Sequence, residues 1–265
     1  QMELDEYLEM QKEAKKRDHR KIGKDLELFT VSEQIGPGLI LWLPSGNIIK
    51  EELENWAKQT EKEWGYLRVT TPHITKAGLY YTSGHLPYYK DDMYPPMKLD
   101  DGEEYYLKPM NCPSHILIYK TKARSYRDLP LRVTDFAPLH RNEIKGTLGG
   151  LMRVRKFSQD DCHVFCTIEQ IKTEVKSHIA HAKHIYQDVF GFDFRVELST
   201  KPEKAMGSAE MWDLAEKSLK EVLDESGLKY AINPGDGAFY GPKIDFHIKD
   251  ALGRSWQCGT EQLDF

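Results

Sequence analysis

Apolar positions along the chain recur in two rhythms. Helical spacing appears where Ile49, Leu53, Trp56, Thr60 and Trp64 follow one another, with Gly65 placed where a helix stops. It appears again over Ile168, Ile171, Val175, Ile179, Ala182 and Val189, opened by the capping-box signature Thr167-Ile168-Glu169-Gln170. A third helix is predicted from Ala209 to about Ser226, capped by Ser208 and ended by Gly227. Pro113 suits the first turn of a short helix through Tyr119, and the charged residues 1–20 read as a further helix. Short apolar or alternating runs predict strands at 26–31, 39–43, 67–71, 194–200, 244–248 and 255–263. Runs of strands with helices laid beside them imply an α+β fold, an antiparallel sheet flanked by helices. A doubly wound parallel sheet would show regular strand–helix alternation instead.

The chemistry concentrates between residues 140 and 163. If 151–163 is one extended strand, its odd positions share a face, because strand side chains alternate with period two. That face would carry Arg153, Arg155, Phe157, Gln159, Asp161 and His163. Arg141 and Glu143 would share a face of the preceding strand, and Gly146, Gly149 and Gly150 would loosen the connection. A solvated strand face is one reading of so much charge, and an Arg141–Glu143 ion pair another. The mixture of guanidinium groups with an aromatic ring favours a second function. Planar forks suit phosphate oxygens and a ring suits a purine, which makes a nucleoside triphosphate site on an antiparallel sheet.

Composition narrows the picture without redirecting it. With 265 residues the chain is one large domain or at most two. Its 37 basic against 42 acidic residues give a net charge of −5, so a nucleic-acid partner would need a local basic surface. Four cysteines are too few for a disulfide framework and suit a reducing interior. No apolar run reaches the roughly 18–20 residues of a membrane helix, and no signal peptide opens the chain. Cys112 would sit at a helix N-terminus, where the dipole favours a thiolate, although buried packing is the commoner role for such a cysteine. Cys162, His163 and Cys166 form a rival metal set. His178, His181 and His184 form another, or a hydrated helix flank.

Several stretches together resemble a known family. Arg141-Asn142-Glu143 after the run from Phe136 to His140 is similar to motif 2 of class II aminoacyl-tRNA synthetases. Lys108-Pro109-Met110-Asn111-Cys112-Pro113, Gly150-Leu151-Met152-Arg153-Val154-Arg155, Gln159-Asp160-Asp161-Cys162-His163, Phe239-Tyr240-Gly241-Pro242-Lys243 and Trp256-Gln257-Cys258-Gly259-Thr260 resemble the threonyl-tRNA synthetase family in the same order. The likeness runs from about Arg17 to Phe265. It implies the class II catalytic fold and activation of threonine with ATP, followed by transfer to the acceptor end of tRNA. It assigns ATP to Arg141, Glu143, Arg153, Val154, Phe157 and Gln257, with Arg141 the catalytic residue. Threonine falls to Met110, Gln159, Asp161, Tyr240, Lys243, Thr260 and Gln262. Zinc would be held by Cys112 and His163, and magnesium would arrive with ATP. Zinc would tell threonine from isosteric valine through the hydroxyl, a distinction an apolar pocket makes only weakly. The helix, strand and proline over residues 47–72 follow the order of motif 1 and imply a homodimer. A cytoplasmic location follows, with an organelle left open.

Strand parity separates Gln257 from Thr260 and Gln262, so Gly259 would have to mark a bulge. A third zinc ligand, motif 3, an editing domain and an anticodon-binding domain are expected in the family, and none is found in these residues. The expectation is a catalytic core over residues 1–265, with residues 1–20 a linker helix and little or no activity in isolation. Two alternatives stay open, a synthetase-like paralogue that binds nucleotide or RNA without aminoacylation, and a class II enzyme for another amino acid.

Overall fold

The computed structural model describes residues 2–265, which divide into two compact units, 17–165 and 2–16 with 166–265. The predicted helix over 1–20 is two helices, α1 (Met2–Lys16) and α2 (His19–Asp25), and Gln1 lies outside the described residues. Asp18 makes the break. It is extended, and its carboxylate accepts from the Arg20 amide at 2.9 Å, so it starts α2 instead of continuing α1.

In the unit 17–165, β1 (Phe29–Val31) and β2 (Ile40–Trp42) form a hairpin. Helix α3 (Pro44–Glu63) begins earlier than expected, because Pro44 has the fixed φ and missing N–H of a first-turn residue. Gly46 is required there, since a Cβ would stand 1.9 Å from the Leu28 carbonyl oxygen. Strand β3 (Leu67–Arg68) follows, then β4 (Ile74–Lys76), α4 (Ala77–Thr82), α5 (His85–Tyr88), β5 (Met97–Lys98), β6 (Glu104–Leu107) and α6 (Cys112–Tyr119). The unit ends with β7 (Leu131–Asp135), β8 (Pro138–His140), β9 (Lys156–Ser158) and β10 (Asp161–Phe165). The sheets are ordered β10-β7-β3 and β4-β6-β5, with β8 and β9 a separate pair. Tyr80, Leu86, Met93 and Tyr106 make a small core, with Tyr80 edge-on to Tyr106.

The second unit packs α7 (Ile171–Lys183) and α8 (Ala209–Ser226) with a four-stranded sheet ordered β12-β11-β13-β14. Its strands are β11 (Phe194–Ser199), β12 (Tyr230–Asn233), β13 (Lys243–Lys249) and β14 (Ser255–Gln262). The sheet is antiparallel except for β11 and β12, which run parallel because α8 carries the chain back between them. Ile171, Val175 and Ile179 meet Leu219, Val222 and Leu223 over Val196, Leu198, Ile244 and Phe246. Ser208 accepts from the Met211 amide and Gly227 stands at φ 70°, closing α8 at both ends as its sequence requires. Ile168 and Val189, expected on the buried side of α7, are exposed. A 3-10 turn precedes the helix and a π-turn follows it, and both change the residues per turn, rotating these two away.

Candidate active site

The motif around Arg141 is shorter in strand than the pattern implies. Leu139 pairs with Phe157 and His140 with Lys156, and the Arg141 amide still donates to the Arg155 carbonyl at 3.0 Å. The Asn142 amide then donates to the Asp92 carbonyl, and the strand ends. Residues 151–155 are not strand, and 159–160 interrupt the run before β10, which pairs with β7 instead. A single continuous strand over 151–163 is therefore corrected to two short ones. Alternation no longer governs Arg153 and Arg155.

Their contacts show what replaces it. Arg155 donates from Nε and Nη2 to the Glu143 backbone carbonyl at 3.0 and 2.8 Å, holding the loop. Arg153 donates from Nε to Glu143 Oε2 at 2.8 Å, and its side chain is half exposed. Glu143 thus has Arg153 as its ion partner, not Arg141. The Arg141 guanidinium lies over the Phe157 ring, 5.1 Å from its centroid, while its Nε reaches the Pro109 carbonyl at 3.4 Å. Val154 is half-buried between the two arginines in sequence. A guanidinium over a ring beside a carboxylate is a platform that can take a phosphate and a base together.

Further along, α6 and β10 meet through polar side chains. Asn111 Nδ2 donates to Asp161 Oδ2 at 2.9 Å, and His115 Nδ1 lies 2.7 Å from His163 Nδ1. Asn111 and His115 flank Cys112 in the chain, which brings the start of α6 to β10. Asp161 Oδ1 stands 3.3 Å from His163 Nδ1. Burial lowers the His163 pKa, against the pull of Asp161, so the ring is neutral at neutral pH. The Asn111 Oδ1 and His115 Nε2 atoms are buried without a hydrogen-bond partner. Gln159 is exposed just before β10 and Met110 is half-buried before α6.

A thiol and a neutral imidazole are a donor set that suits zinc, and His163 has one ring nitrogen already engaged, as metal-bound histidines do. Cys112 and His163 carry donor atoms of the kinds zinc takes. Among the described residues no group of three or more His, Cys, Asp or Glu is placed to hold a metal. This disposes of the two rival sets. The Cys162 thiol donates to Thr134 Oγ1, and burial pushes its pKa far up. His178 is hydrogen-bonded to Glu261, His184 faces Asp188 at 3.3 Å, and burial takes His181 down to about 4.

In the second unit a buried carboxylate, Asp245, gathers the remaining candidates. Its Oδ1 accepts from Gln257 Nε2 at 2.6 Å and Thr260 Oγ1 at 3.2 Å. Its Oδ2 accepts from Ser199 Oγ at 2.7 Å and pairs with Lys243 Nζ at 3.0 Å. Burial alone would lower the Lys243 pKa, but Asp245 and Asp236 raise it, so the ammonium stays charged. The Tyr240 hydroxyl donates to Gln262 Oε1 at 2.6 Å, and Gln262 is the register partner of Lys243. The expected bulge is present. Phe246 pairs with Gly259 and His247 with Gln257, leaving Cys258 unpaired and turning Gln257 toward Thr260, 2.5 Å away. Gly259 carries no Cβ where one would meet Tyr186 Oη at 2.5 Å. Asp245 and His115 were not singled out from the sequence. A lone carboxylate between Ile244 and Phe246, and a histidine three residues after Cys112 on one helix, were the signals available.

These features define a class II aminoacyl-tRNA synthetase core, and the chain belongs to that family: the class II tRNA synthetase core domain (G, H, P, S and T) matches residues 94–265. Within it the likeness is to threonine–tRNA ligases. Those of Finegoldia magna and Sulfurihydrogenibium sp. are 54% and 52% identical over 99% of this chain, which spans 41% of their length. The crystal structure of the RNA binding domain of threonyl-tRNA synthetase from Cryptosporidium parvum superposes with a TM-score of 0.87 at 45% identity. It covers 94% of this chain, which covers 62% of it. A putative threonyl-tRNA synthetase from Aeropyrum pernix gives 0.79 at 34% identity, over 87% of this chain and 53% of its own. The prolyl-tRNA synthetase of Giardia lamblia, at 16% identity and a TM-score of 0.64, shares the fold.

Proposed function

We propose that residues 1–265 are the catalytic core of a threonine–tRNA ligase, which joins threonine to AMP and passes it to the acceptor end of tRNA. The observation that carries this is the Arg141–Phe157 platform on the same short β8–β10 stretch as Asp161 and His163. The reaction is attack of an already ionised carboxylate on the α-phosphate of ATP, so no general base is needed. Positioning and positive charge on phosphate oxygens are needed, and Arg141 supplies both. Phe157 stacks the adenine, Glu143 accepts from its amino group, and Arg153 swings from Glu143 toward the γ-phosphate. Val154 and Gln257 are the remaining residues that the resemblance gives to ATP, and magnesium accompanies the nucleotide to offset phosphate charge.

Asp161 accepts a hydrogen bond from the threonine hydroxyl, with Gln159 and Met110 beside it. Tyr240, Lys243, Thr260 and Gln262 are the further residues that the resemblance gives to threonine. Cys112 and His163 would hold zinc, which when bound supplies an open coordination position for the amino group and hydroxyl together. Valine offers no hydroxyl to the half-buried Asp161, so it forgoes this hydrogen bond and binds less well.

Ile48, Ile49 and Leu53 of α3 are 62%, 50% and 47% exposed, with Leu67 and Ile74 exposed beyond them. An apolar surface of this kind on residues 47–72 fits a second copy of the chain, giving a homodimer. No described helix is long and apolar enough to cross a membrane, and the proposed site of action is the cytoplasm.

The test is ATP–pyrophosphate exchange by the full-length natural protein. Threonine should drive it, and Arg141→Ala should lower it by at least about 100-fold, the loss typical of removing one transition-state donor. Exchange driven by serine or proline in place of threonine would overturn the assignment.

A further inference from the structure

The His115–His163 contact contains more information than its distance. His115 is fully buried, and its ring stands perpendicular to that of His163 with centroids 4.5 Å apart. Two Nδ1 atoms 2.7 Å apart require that one carry the hydrogen and the other the lone pair. The surrounding carboxylates decide which. His115 Nε2 faces Asp135 Oδ2 at 3.9 Å and has no nearer partner. Asp135 is itself buried and fixed, accepting from the Thr71 amide at 3.0 Å and the Thr71 hydroxyl at 2.7 Å, with Lys108 donating to that hydroxyl. A lone pair aimed at this oxygen would be repelled, so the hydrogen of His115 belongs on Nε2. Its Nδ1 is then an acceptor, and His163 must carry its own hydrogen on Nδ1. Asp161 Oδ1, 3.3 Å from the same atom, favours the same answer.

We infer that His115, its Nε2 turned toward Asp135, is a positioning residue that locks His163 in the Nδ1–H tautomer and so leaves the His163 Nε2 lone pair free to bind a metal. Free histidine prefers the other tautomer, in which Nε2 carries hydrogen and cannot coordinate. The relay from Asp135 through His115 reverses that preference before any ion arrives. Second-layer partners of this kind change metal affinity by about 10–100-fold. The tautomer assignment stands on these contacts alone; its use in metal binding rests on the function proposed above.

Two measurements separate them. Long-range ¹H–¹⁵N correlation spectra of the metal-free chain at neutral pH report the tautomer of each ring. His163 should appear as Nδ1–H and His115 as Nε2–H. His163 found as Nε2–H overturns the inference, whatever the metal does. Zinc affinity of the full-length protein, by chelator competition, should fall about 10–100-fold in His115→Leu. It should recover most of that loss in His115→Asn, whose side-chain oxygen replaces the acceptor at Nδ1. Unchanged affinity in a folded His115→Leu would refute the positioning role. If His115→Leu does not fold, the tautomer in the unaltered chain decides. A correct tautomer with no zinc bound at all would instead sink the metal reading and leave the lock intact.

Discussion

Replacing Asp245 by alanine removes the acceptor that ties three strands of the second unit together. Ser199 on β11, Gln257 and Thr260 on β14 and Lys243 on β13 all direct a hydrogen bond or a charge at this one carboxylate, which is 1% exposed. Each hydrogen bond to a charged group contributes on the order of 1.5–3 kcal/mol, and stranding a buried partner costs about 3–5 kcal/mol. Lys243 is not wholly stranded, because Asp236 remains at 3.2 Å. That partner is largely exposed and softens the loss, so the expected cost is about 3 kcal/mol. In native-state hydrogen exchange this is on the order of 100-fold faster opening of amides in residues 243–262. Because the stranded ammonium causes part of the damage, Lys243→Met should cost less in the Asp245→Ala background than in the unaltered chain. A coupling of at least about 1 kcal/mol is expected from that cycle. Strict additivity, or a loss below about 1 kcal/mol, would refute the view that Asp245 organises this face.

Three further outcomes follow from particular contacts. Ser208→Ala removes the α8 cap and should lower stability by about 1 kcal/mol in urea unfolding, while Ser208→Asp should restore most of it. Asp250 accepts from the Leu252 and Arg254 amides, Arg254 Nε and the Trp256 indole, and these outweigh burial to bring its pKa down to about 2. Its contribution should be complete above the ordinary carboxylate value near 4 and lost as pH falls through 2, so a carboxyl titration near 3.8 by NMR would contradict it. Leu53→Glu, on the exposed face of α3, should shift the full-length protein toward monomer in analytical ultracentrifugation with little change in secondary structure; an unaltered dimer would place the interface elsewhere.

Local signals fixed much of the outline. Ser208 and Gly227 bounded α8, Thr167 to Gln170 opened the helix that follows β10, and the strands at 194–200, 244–248 and 255–263 lie where their apolar runs placed them. The bulge near Gly259 was legible because parity otherwise separated Gln257 from Thr260. Parity misled between 151 and 163, where the Asn142 amide turned to the Asp92 carbonyl and the Arg155 amide to the Gly38 carbonyl, ending the β8–β9 ladder. Alternation describes a segment only while its ladder lasts, and the ladder partner is chosen elsewhere in the chain.

The amino-acid order by itself determined the helices α3, α6, α7 and α8 in outline, about half of the strands, the family resemblance and which residue types were available for ATP, threonine and zinc. Tertiary structure alone decided that Glu143 pairs with Arg153, that Asp245 gathers Gln257, Thr260 and Lys243, and that His115 stands between Asp135 and His163. Capping and periodicity act within a few residues, so they can be read directly. A hydrogen bond between residues 115 and 163, or between 199 and 245, depends on how separate elements pack, and no local pattern encodes that.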